Sequence, residues 1–289
     1  MSPMENCKAA QSLSSLSNRD LTILSDVARS AAQKGGRILM KYYGNLNNIK
    51  SKSTVGDLVT EADLESEQII VKFLQEETEN IRILAEEGGL KGQKNDLCWC
   101  IDPLDGTTNF AHGYPFFATS IGLTWNDLPI LGAISVPFFN ELYWASPNMG
   151  AFCNENPIKV SATKSLINSL LVTGFAYDRT KVVDNNYAEF CWLTHRTRGV
   201  RRGGAAAVDL AFVAGGRLDG YWERGLSKWD TAAGVPIVEL AGGVVSDYPL
   251  GNFNLNNGRI FASTPNIEKE LKNELSKVIP LEGTSYGAP

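Results

Sequence analysis

One short run in the sequence combines two carboxylates, a glycine and two hydroxyls: Asp102-Pro103-Leu104-Asp105-Gly106-Thr107-Thr108. It follows an apolar segment, residues 97–101, whose length and composition predict a buried strand. Carboxylates at such a position are costly to bury unless cations or hydrogen-bond donors compensate their charge. Acidic oxygens for a hard cation, next to the backbone amides of Gly106 and Thr107 for an anion, are what metal-assisted phosphoryl hydrolysis needs. The alternative is an Asp-Gly turn that Asp102 caps without any ligand.

Further acidic residues stand at the ends of other predicted elements. Glu86 and Glu87 follow a predicted strand, Asp57 and Asp63 flank the start of a predicted helix, and Asp230 opens another. Taken singly, a helix N-cap or a solvated pair of acids explains each of them. A site for several metal ions draws carboxylates from different segments, and the set as a whole therefore favours a metal site.

Helical periodicity marks the N-terminal part of the chain. The first helix is predicted to start with Ser17 or Asn18 as its N-cap and to end at Gly44. A second helix follows Thr60, and apolar residues at helical spacing predict its buried face. That face comprises Leu64, Ile69, Ile70, Phe73 and Leu74.

Short apolar segments bounded by Gly, Pro or Asn follow the helices and predict a mainly antiparallel sheet. These segments are residues 81–85, 97–101, 118–124, 130–136 and 141–145. After about residue 160, predicted strands alternate with helical patterns, which is typical of a mixed α/β half. The strands are at residues 170–174, 217–221, 243–246 and 259–262, and the helices are near residues 185–196, 205–214, 228–241 and 265–277.

No linker, repeat or low-complexity block separates these two parts of the chain. We therefore expect residues 18–289 to form one unit. Its α+β half at residues 18–160 would carry the metal site, and its α/β half at residues 161–280 would carry substrate contacts. We interpret the serine-rich residues 1–17 as a mobile N-terminal tail.

Composition limits the classes of partner. The net charge of the 289-residue chain is −5, which argues against a nucleic-acid partner. One basic cluster is the local exception, and a local anion site, a subunit contact or a solvated face explains it. The cluster consists of Arg196, Arg198, Arg201 and Arg202. No apolar run approaches the ~20 residues that span a bilayer, and we expect no membrane partner.

The cysteine content indicates a reducing compartment. The chain has five cysteines, and an odd number in a chain of this length argues against a disulfide framework. Cys98 and Cys100 lie on one face of a predicted strand without a second pair at ligand spacing, so we interpret them as buried residues and not as zinc ligands. A cytoplasmic location fits these observations best.

Four segments carry a resemblance to a known family. Residues 99–110, which contain the acidic run, resemble the first signature of the inositol monophosphatase family, whose superfamily comprises Mg²⁺-dependent, lithium-sensitive phosphatases. Trp229-Asp230-Thr231-Ala232-Ala233-Gly234, followed by Ala241-Gly242-Gly243, is similar to the second signature. Residues 57–63 and 85–88 match the two segments upstream. All four occur in the order and spacing of the family, and the similarity covers about residues 20–280.

The resemblance implies a fold, a cofactor and a set of metal ligands. The fold would be a layered α-β-α-β-α sandwich of the sugar phosphatase type, with the active site between the two halves and a homodimer as the assembly. Two to three Mg²⁺ ions would be held by carboxylates and by one backbone carbonyl. The resemblance assigns these ligands to Glu86, Asp102, Leu104 (carbonyl), Asp105, Asp230 and, for a weaker ion or a water, Asp63.

The resemblance also implies catalytic and substrate-binding roles. Thr107, with Glu86 or Asp63, would position and deprotonate the attacking water, and the amides of Gly106 and Thr107 would bind the phosphate. Contacts to the substrate are predicted for Gly106, Thr107, Gly204, Ala205, Ala206, Glu223, Asp230 and Lys52. Some members of the family have Thr at the position of Ala205, so one hydroxyl contact is lost here.

The function predicted from this resemblance is Mg²⁺-dependent hydrolysis of inositol 1-phosphate or a similar polyol phosphate, with sensitivity to Li⁺. The same site chemistry would serve histidinol phosphate, fructose 1,6-bisphosphate, galactose 1-phosphate or an adenosine bisphosphate, because it recognises the phosphate and not the leaving group. An alternative from another class is a regulatory protein that keeps the fold and binds RNA or the transcription machinery through the basic cluster.

Overall fold

Helix α1 (Asn18–Tyr42) is the first regular element of the structure. The computed structural model describes residues 16–51, 58–248 and 251–281. Ser17 is the N-cap: its hydroxyl accepts a hydrogen bond from the Asp20 amide, and the Asp20 carboxylate accepts one from the Ser17 amide. This capping box satisfies two amides that would otherwise lack partners, and it confirms the predicted start of the helix. The predicted end at Gly44 lies just beyond the last helical residue.

Helix α2 (Glu61–Glu77) begins at Thr60, as predicted, but one prediction about its buried face is wrong. Leu64 is 54% exposed, whereas Asp63 and Ser66 are completely buried. The first turns of α2 face the acidic end of a strand, where the Ser66 hydroxyl donates to the Pro103 carbonyl oxygen over 3.0 Å. Polar contacts therefore determine the orientation of this end of the helix, and the apolar residues Ile70 and Leu74 enter the core farther along.

The described part of the chain contains six more α-helices and fifteen strands. The helices are α3 (Thr107–Ala111), α4 (Tyr187–Thr194), α5 (Ala206–Ala214), α6 (Lys228–Thr231), α7 (Gly234–Leu240) and α8 (Glu268–Leu275). The strands of the first half are β1 (Ile49–Ser51), β2 (Leu58–Thr60), β3 (Arg82–Ala85), β4 (Gly89–Lys91), β5 (Leu97–Asp105), β6 (Ala118–Trp125), β7 (Leu128–Val136), β8 (Glu141–Ser146), β9 (Gly150–Cys153) and β10 (Asn156–Pro157). The strands of the second half are β11 (Leu170–Thr173), β12 (Gly199–Arg202), β13 (Gly220–Arg224), β14 (Val244–Ser246) and β15 (Arg259–Ser263).

The first half is built on an eight-stranded sheet of order β10-β9-β8-β7-β6-β5-β3-β4. Neighbouring strands are antiparallel, as the sequence predicts, except that β3 and β5 are parallel. Strands β1 and β2 form a separate antiparallel ribbon. The parallel pair matters for function because it brings the carboxyl ends of β3 and β5 to the same edge of the sheet.

The second half contains a mixed five-stranded sheet of order β12-β11-β13-β15-β14. Three differences from the predicted elements have local causes. Strand β12 was not predicted, because it is a short edge strand whose two arginines are exposed. The strand predicted at residues 217–221 is β13 at Gly220–Arg224, since the Leu218 amide still donates to the Phe212 carbonyl at the end of α5. The helix predicted near residues 228–241 is divided into α6 and α7, and Pro236 cannot donate an amide to the preceding turn.

The elements stack in five layers, which confirms the α-β-α-β-α sandwich. Helices α1 and α2 pack on one face of the eight-stranded sheet, and α5 and α7 pack on the other. The same two helices cover the inner face of the five-stranded sheet, whose outer face carries α4 and α8. Since α5 and α7 touch both sheets, apolar burial joins the two halves along this middle layer. The division at residue 160 stays a prediction.

Among the described residues, none of the helices combines the length and the apolar character that crossing a membrane requires.

Candidate active site

The parallel pairing of β3 and β5 places the first two acidic segments next to each other. Ala85 is opposite Ile101 in this pairing, so Glu86 and Asp102 leave the sheet at the same edge. The Glu86 amide donates to the Ile101 carbonyl oxygen over 3.1 Å, which holds Glu86 beside the end of β5. Ligand sites are frequent at the carboxyl ends of parallel strands, and this edge presents acidic groups from two of them.

Strand β5 extends beyond its predicted end at residue 101 and includes both aspartates of the acidic run. Its pairing with β6 shifts register between Asp102 and Asp105. Within this irregular stretch the Leu104 amide donates to Asp102 Oδ1 over 3.0 Å, and Pro103 has no amide to donate. Such a bulge re-aims the side chains around it. Both carboxylates consequently line the same cavity.

Gly106 makes the sharp change of direction from β5 into α3. Its φ angle is +86°, a conformation that favours glycine, and a Cβ atom there would lie 2.9 Å from the Phe116 carbonyl oxygen. The Asn109 side-chain amide donates to the same Phe116 oxygen over 2.7 Å. The turn and this hydrogen bond keep Thr107 directly beside the two aspartates.

Thr107 and Asp63 form a buried pair behind the cavity wall. Thr107 Oγ1 lies 3.1 Å from Asp63 Oδ1 and 3.0 Å from the Leu104 carbonyl oxygen. The other oxygen of Asp63 accepts hydrogen bonds from the Thr60 amide and hydroxyl, at 2.8 and 2.6 Å, within the capping box of α2. Burial raises the pKa of Asp63 to about 6, the Thr60 bonds oppose this rise, and the nearby charge of Glu86 adds to it. At neutral pH Asp63 is therefore mainly ionised and can accept a hydrogen bond from the Thr107 hydroxyl.

Asp105 connects the two halves of the molecule. Its carboxylate accepts hydrogen bonds from the amides of Ala206 at 3.2 Å and Ala207 at 2.7 Å, which are the first residues of α5. Burial raises the pKa of Asp105 to about 7, although the bond from Ala207 lowers it, and the charge of Glu223 raises it further. Because the Ala206 amide is already bonded to Asp105, it cannot also donate to a substrate in this arrangement.

Asp230 reaches the site from α6. Its carboxylate accepts a hydrogen bond from the Ser227 amide over 2.6 Å and completes a capping box at the start of that helix. Asp230 therefore caps the start of α6, which was the alternative to a ligand role in the sequence analysis. The same carboxylate also lines the cavity. Burial raises the pKa of Asp230, and the charges of Asp105 and Glu86 raise it further.

Neighbouring negative charges raise the pKa values of Asp102, Asp105 and Asp230 in the cavity. Burial raises the pKa of Asp102 well above its usual range, and the charges of Glu86, Asp105 and Asp230 add to that rise. Asp102 also shares side-chain hydrogen bonds with Glu86 and Asp230. A bound cation would remove this mutual repulsion, so the electrostatics of the wall favour a positively charged ligand.

The donor atoms on this wall indicate which cation would fit. They are oxygens, from four carboxyl groups and from the Leu104 backbone, and oxygen ligands suit a hard divalent cation. Within residues 16–51, 58–248 and 251–281, no three His, Cys, Asp or Glu side chains have the arrangement of a preformed metal site. Metal binding would require the protons that the raised pKa values of Asp102 and Asp230 retain to leave.

The cavity itself has a volume of about 370 Å³ and lies between the two sheets. It brings together most of the residues selected from the sequence, which are Glu86, Asp102, Leu104, Asp105, Gly106, Thr107, Gly204, Ala205, Ala206, Glu223 and Asp230. Asp63 is behind Thr107 and contacts the cavity through it. Lys52 and Asp57 are outside the described residues.

Glu223, on β13 of the second half, lines the same cavity. The Tyr221 hydroxyl donates to its Oε2 over 2.6 Å. Burial raises the pKa of Glu223 to about 7; the Tyr221 bond and the charge of Arg202 lower it, whereas the charge of Asp230 raises it. A half-buried carboxyl group with a free oxygen edge on the cavity can accept hydrogen bonds from the hydroxyls of a polyol.

Sequence reasoning did not select Asp209, which is completely buried in α5. Neither oxygen of its carboxyl group has a hydrogen-bond partner among the described residues. Burial raises the pKa of Asp209 well above its usual range, and the charges of Glu223 and Asp105 contribute. A single acidic residue in the otherwise apolar run Ala206–Ala214 was the signal that could have found it.

The basic cluster is divided by the fold. Arg196 stacks on Trp192, with 3.3 Å from its guanidinium carbon to the ring centroid, and its side chain forms an ion pair of 3.0 Å with Glu274. Arg198 donates to the Asn168 side chain. Arg202 lines the cavity, whereas Arg201, the next residue on β12, does not. Arg202 thus differs from the other three arginines in lining the cavity.

The structure confirms that Cys98 and Cys100 are buried, and both lie on β5 as free thiols.

Comparisons with known proteins identify the family of the chain. The sequence pattern of the Inositol monophosphatase family matches residues 20–280. The inositol-1-monophosphatase of Synechocystis sp. is 51% identical over 89% of this chain and 90% of its own length. The Nus factor SuhB of Pasteurella multocida is 38% identical over 86% of this chain and 94% of its own length.

A solved structure has the same fold. The structure of an inositol monophosphatase from Anabaena (Nostoc) sp. superimposes with a TM-score of 0.83. It is 47% identical in sequence, and the match covers 91% of this chain and 98% of that chain.

Proposed function

Because the chain belongs to the inositol monophosphatase family and is a phosphatase, we propose that it uses Mg²⁺ to hydrolyse a small phosphomonoester, with inositol 1-phosphate as the first candidate. The observation that carries the proposal is the concentration of four carboxyl groups from three separate segments on one wall of a cavity. Burial and mutual repulsion raise the pKa values of Asp102, Asp105 and Asp230. A protein that had no cation to bind would gain stability by losing these groups.

The proposed ligands of two to three Mg²⁺ ions are the carboxylates of the cavity and one backbone oxygen. They are Glu86, Asp102, Asp105, Asp230 and the carbonyl of Leu104, with Asp63 for a weaker ion or a water. When bound, Mg²⁺ supplies positive charge for the phosphoryl oxygens and for the leaving oxygen, and it lowers the pKa of a nearby water.

The protein's own part in the water attack is assigned to Thr107, Asp63 and Glu86. Ionised Asp63 accepts a hydrogen bond from the Thr107 hydroxyl, which leaves a lone pair of the Thr107 oxygen to accept a hydrogen bond from the attacking water. The Glu86 carboxylate takes a proton from that water. An oxygen–phosphorus bond forms as the bond from phosphorus to the alcohol oxygen breaks. Glu86 then releases its proton to solvent, and the alcohol oxygen takes a proton from solvent. The products are the free alcohol and inorganic phosphate.

Phosphate and alcohol would occupy different walls of the cavity. The amides of Gly106 and Thr107, at the turn after β5, are proposed to bind the phosphate, because Gly106 exposes this backbone to the cavity. Gly204, Ala205 and Glu223 are the proposed contacts to the alcohol part of the substrate, and all three line the cavity. Ala206 contributes by its position beside Asp105, and Lys52 stays a predicted contact.

The test is phosphate release from inositol 1-phosphate with and without Mg²⁺, by the wild type and by Asp102→Asn. We expect release that depends on Mg²⁺ and a loss of at least a hundredfold in the variant, because the substitution removes a charged ligand from the centre of the set. Asp26→Asn, an exposed acid on α1, is the matched control and should retain activity. Equal activity of Asp102→Asn and wild type would contradict the proposed site.

The identity of the alcohol requires a panel, because the acidic wall recognises the phosphate and the ions. Histidinol phosphate, fructose 1,6-bisphosphate, galactose 1-phosphate and an adenosine bisphosphate are the alternatives. Rapid hydrolysis of one of them beside no turnover of inositol 1-phosphate would replace the first candidate and leave the chemistry unchanged.

A regulatory role in transcription is the second candidate, and a relative named Nus factor SuhB motivates it. The structure supports this role less than catalysis, because the arginines proposed to carry it are divided between a stacked pair, an edge strand and the cavity. Absence of phosphate release from every member of the panel would make the regulatory role the better proposal.

Three further properties stay predictions that rest on the resemblance or on composition. They are a homodimer, sensitivity to Li⁺ and a cytoplasmic location. Sedimentation of the purified protein, inhibition by LiCl and localisation of a tagged chain would test them in turn.

A further inference from the structure

Helix α2 has three buried polar residues, Asp63, Ser66 and Glu67, within about one turn. Spacings of three and four residues place their side chains on one face of the helix. Asp63 bonds to Thr107 beside the cavity, and Ser66 bonds to the Pro103 carbonyl oxygen in the irregular end of β5. Both residues thus contact the first acidic segment, whereas the proposed mechanism gives Glu67 no part.

Glu67 contacts the turn at residues 86–88, which joins β3 to β4. Its Oε2 atom accepts a hydrogen bond from the Glu87 amide over 2.9 Å. A Cβ atom at Gly88 would lie 2.5 Å from Glu67 Oε1, so the carboxylate lies directly against the backbone of the turn. The absence of a side chain at Gly88 leaves room for this contact.

The turn is at the edge of the large sheet, where β4 stands last in the strand order and pairs with β3. The Glu86 amide donates to the Ile101 carbonyl oxygen on β5, whereas the next amide, that of Glu87, is bonded to α2 through Glu67. These two amides flank the Cα atom of Glu86. The direction of the Glu86 side chain is therefore set by β5 on one side and by Glu67 on the other.

We propose that Glu67 is a positioning residue for Glu86: through the Glu87 amide it keeps the Glu86 carboxylate directed at the ions and the attacking water. This inference rests on the proposed function, in which Glu86 is a metal ligand and a base. Glu67 is not among the described residues that line the cavity, so its effect on the ions passes through Glu86. Groups that orient a metal ligand commonly contribute about ten- to a hundredfold to metal affinity.

The experiment measures the dissociation constant of Mg²⁺ by calorimetry without substrate, and the Mg²⁺ concentration at half-maximal phosphate release from inositol 1-phosphate. We expect Glu67→Met to increase both about tenfold or more, because methionine fills the space but does not hold the Glu87 amide. Glu67→Gln retains an acceptor oxygen, so both values should stay within about threefold of the wild type. Gly88→Ala should act like Glu67→Met, since its Cβ atom displaces the carboxylate.

Glu189→Met is the matched control, because Glu189 is also a buried glutamate, accepts a hydrogen bond from the Tyr248 hydroxyl over 2.7 Å and is outside the described lining of the cavity. It should leave the Mg²⁺ dependence unchanged. An equal increase in Glu189→Met and Glu67→Met would indicate general destabilisation and overturn the proposal.

A dissociation constant for Glu67→Met within about twofold of the wild type would also overturn the proposal, because loss of an orienting contact weakens metal binding by more than that. If Glu67→Met does not fold, Gly88→Ala decides, and an unchanged Mg²⁺ dependence in that variant refutes the positioning role. A wild type that hydrolyses inositol 1-phosphate with Mg²⁺ leaves the proposed function intact in each of these cases. A wild type that neither binds Mg²⁺ nor releases phosphate would contradict the proposed function and this inference with it.

Discussion

The Thr107 hydroxyl illustrates how the site depends on single atoms. It has one proton and two acceptors within reach, the Asp63 carboxylate and the Leu104 carbonyl. If the hydroxyl orients the attacking water, Thr107→Val should lower kcat by about 10²–10⁴. Thr107→Ser keeps the hydroxyl and should retain most of the activity. Steady-state kinetics with inositol 1-phosphate at saturating Mg²⁺ would measure both, and a kcat for the valine variant within tenfold of the wild type would remove Thr107 from the mechanism.

Asp209 gives a prediction about stability and pH. Its folded-state pKa is raised by burial, so the folded protein keeps the proton after the unfolded chain has released it. Its stabilising contribution is therefore complete below about pH 4 and is lost as the pH rises toward the raised pKa. Asp209→Asn carries no such proton, so its free energy of unfolding should exceed that of the wild type by an amount that increases from pH 4 to pH 8.

The slope of that difference is expected to reach about 1 kcal/mol per pH unit. Urea unfolding in metal-free buffer at several pH values would measure it. A difference between the two proteins that stays constant over this range would show that Asp209 ionises normally in the folded state.

At the scale of elements, an ion-pair network holds the segment that forms one side of the cavity. Phe175, Ala176 and Tyr177 follow β11 and line the cavity. Arg224, at the end of β13, binds both oxygens of Asp178 at 2.9 and 3.0 Å. A second ion pair joins Asp184 to Arg259 on β15. The cavity wall is thus attached to the five-stranded sheet at two points.

Removing the ion pair between Arg224 and Asp178 should make the segment after β11 less firmly held, without removing any group that touches the reacting phosphate. We expect Arg224→Met to raise KM by about fivefold, in line with about 1 kcal/mol for a partly exposed pair, and to change kcat less. Arg217→Met removes a comparable two-point contact, to Glu141, outside the cavity and should leave KM unchanged. A fall in kcat with constant KM in Arg224→Met would assign Arg224 to the chemical step instead.

At the scale of the whole molecule, the acidic wall couples metal binding to stability. A ligand that binds only the folded state stabilises it by about 2.7 kcal/mol when its concentration is a hundred times Kd. For a domain of this size we expect Mg²⁺ to raise Tm by roughly 5 °C. Asp105→Asn should reduce this rise, because it removes one of the ligand charges while keeping an oxygen that can accept from the Ala207 amide.

Thermal unfolding with Mg²⁺ and with EDTA would test the coupling independently of any substrate. NaCl at equal ionic strength is the control for screening of the acidic groups. The same rise in Tm with NaCl as with Mg²⁺ would indicate general screening and no specific metal site.

Local patterns in the sequence determined a large part of this description. The N-cap at Ser17 and the start of α2 after Thr60 each depend on residues close together in the chain, so local spacing predicts them. The acidic run and the segment around Asp230 are also local, and they carry the resemblance to the family. The predicted strands of the large sheet and the change to an alternating pattern after residue 160 were also correct, because apolar periodicity reflects which side chains are buried.

Only the tertiary structure decided how these segments meet. It bonded Asp105 to the first amides of α5, buried Asp209 and placed Arg202 on the cavity wall. It also exposed Leu64 and buried the polar side of α2, which apolar spacing did not predict. Each of these outcomes depends on which face of one element contacts another that is far away in the chain. Residue spacing within a single element does not predict such contacts, because they follow from the packing of all five layers together.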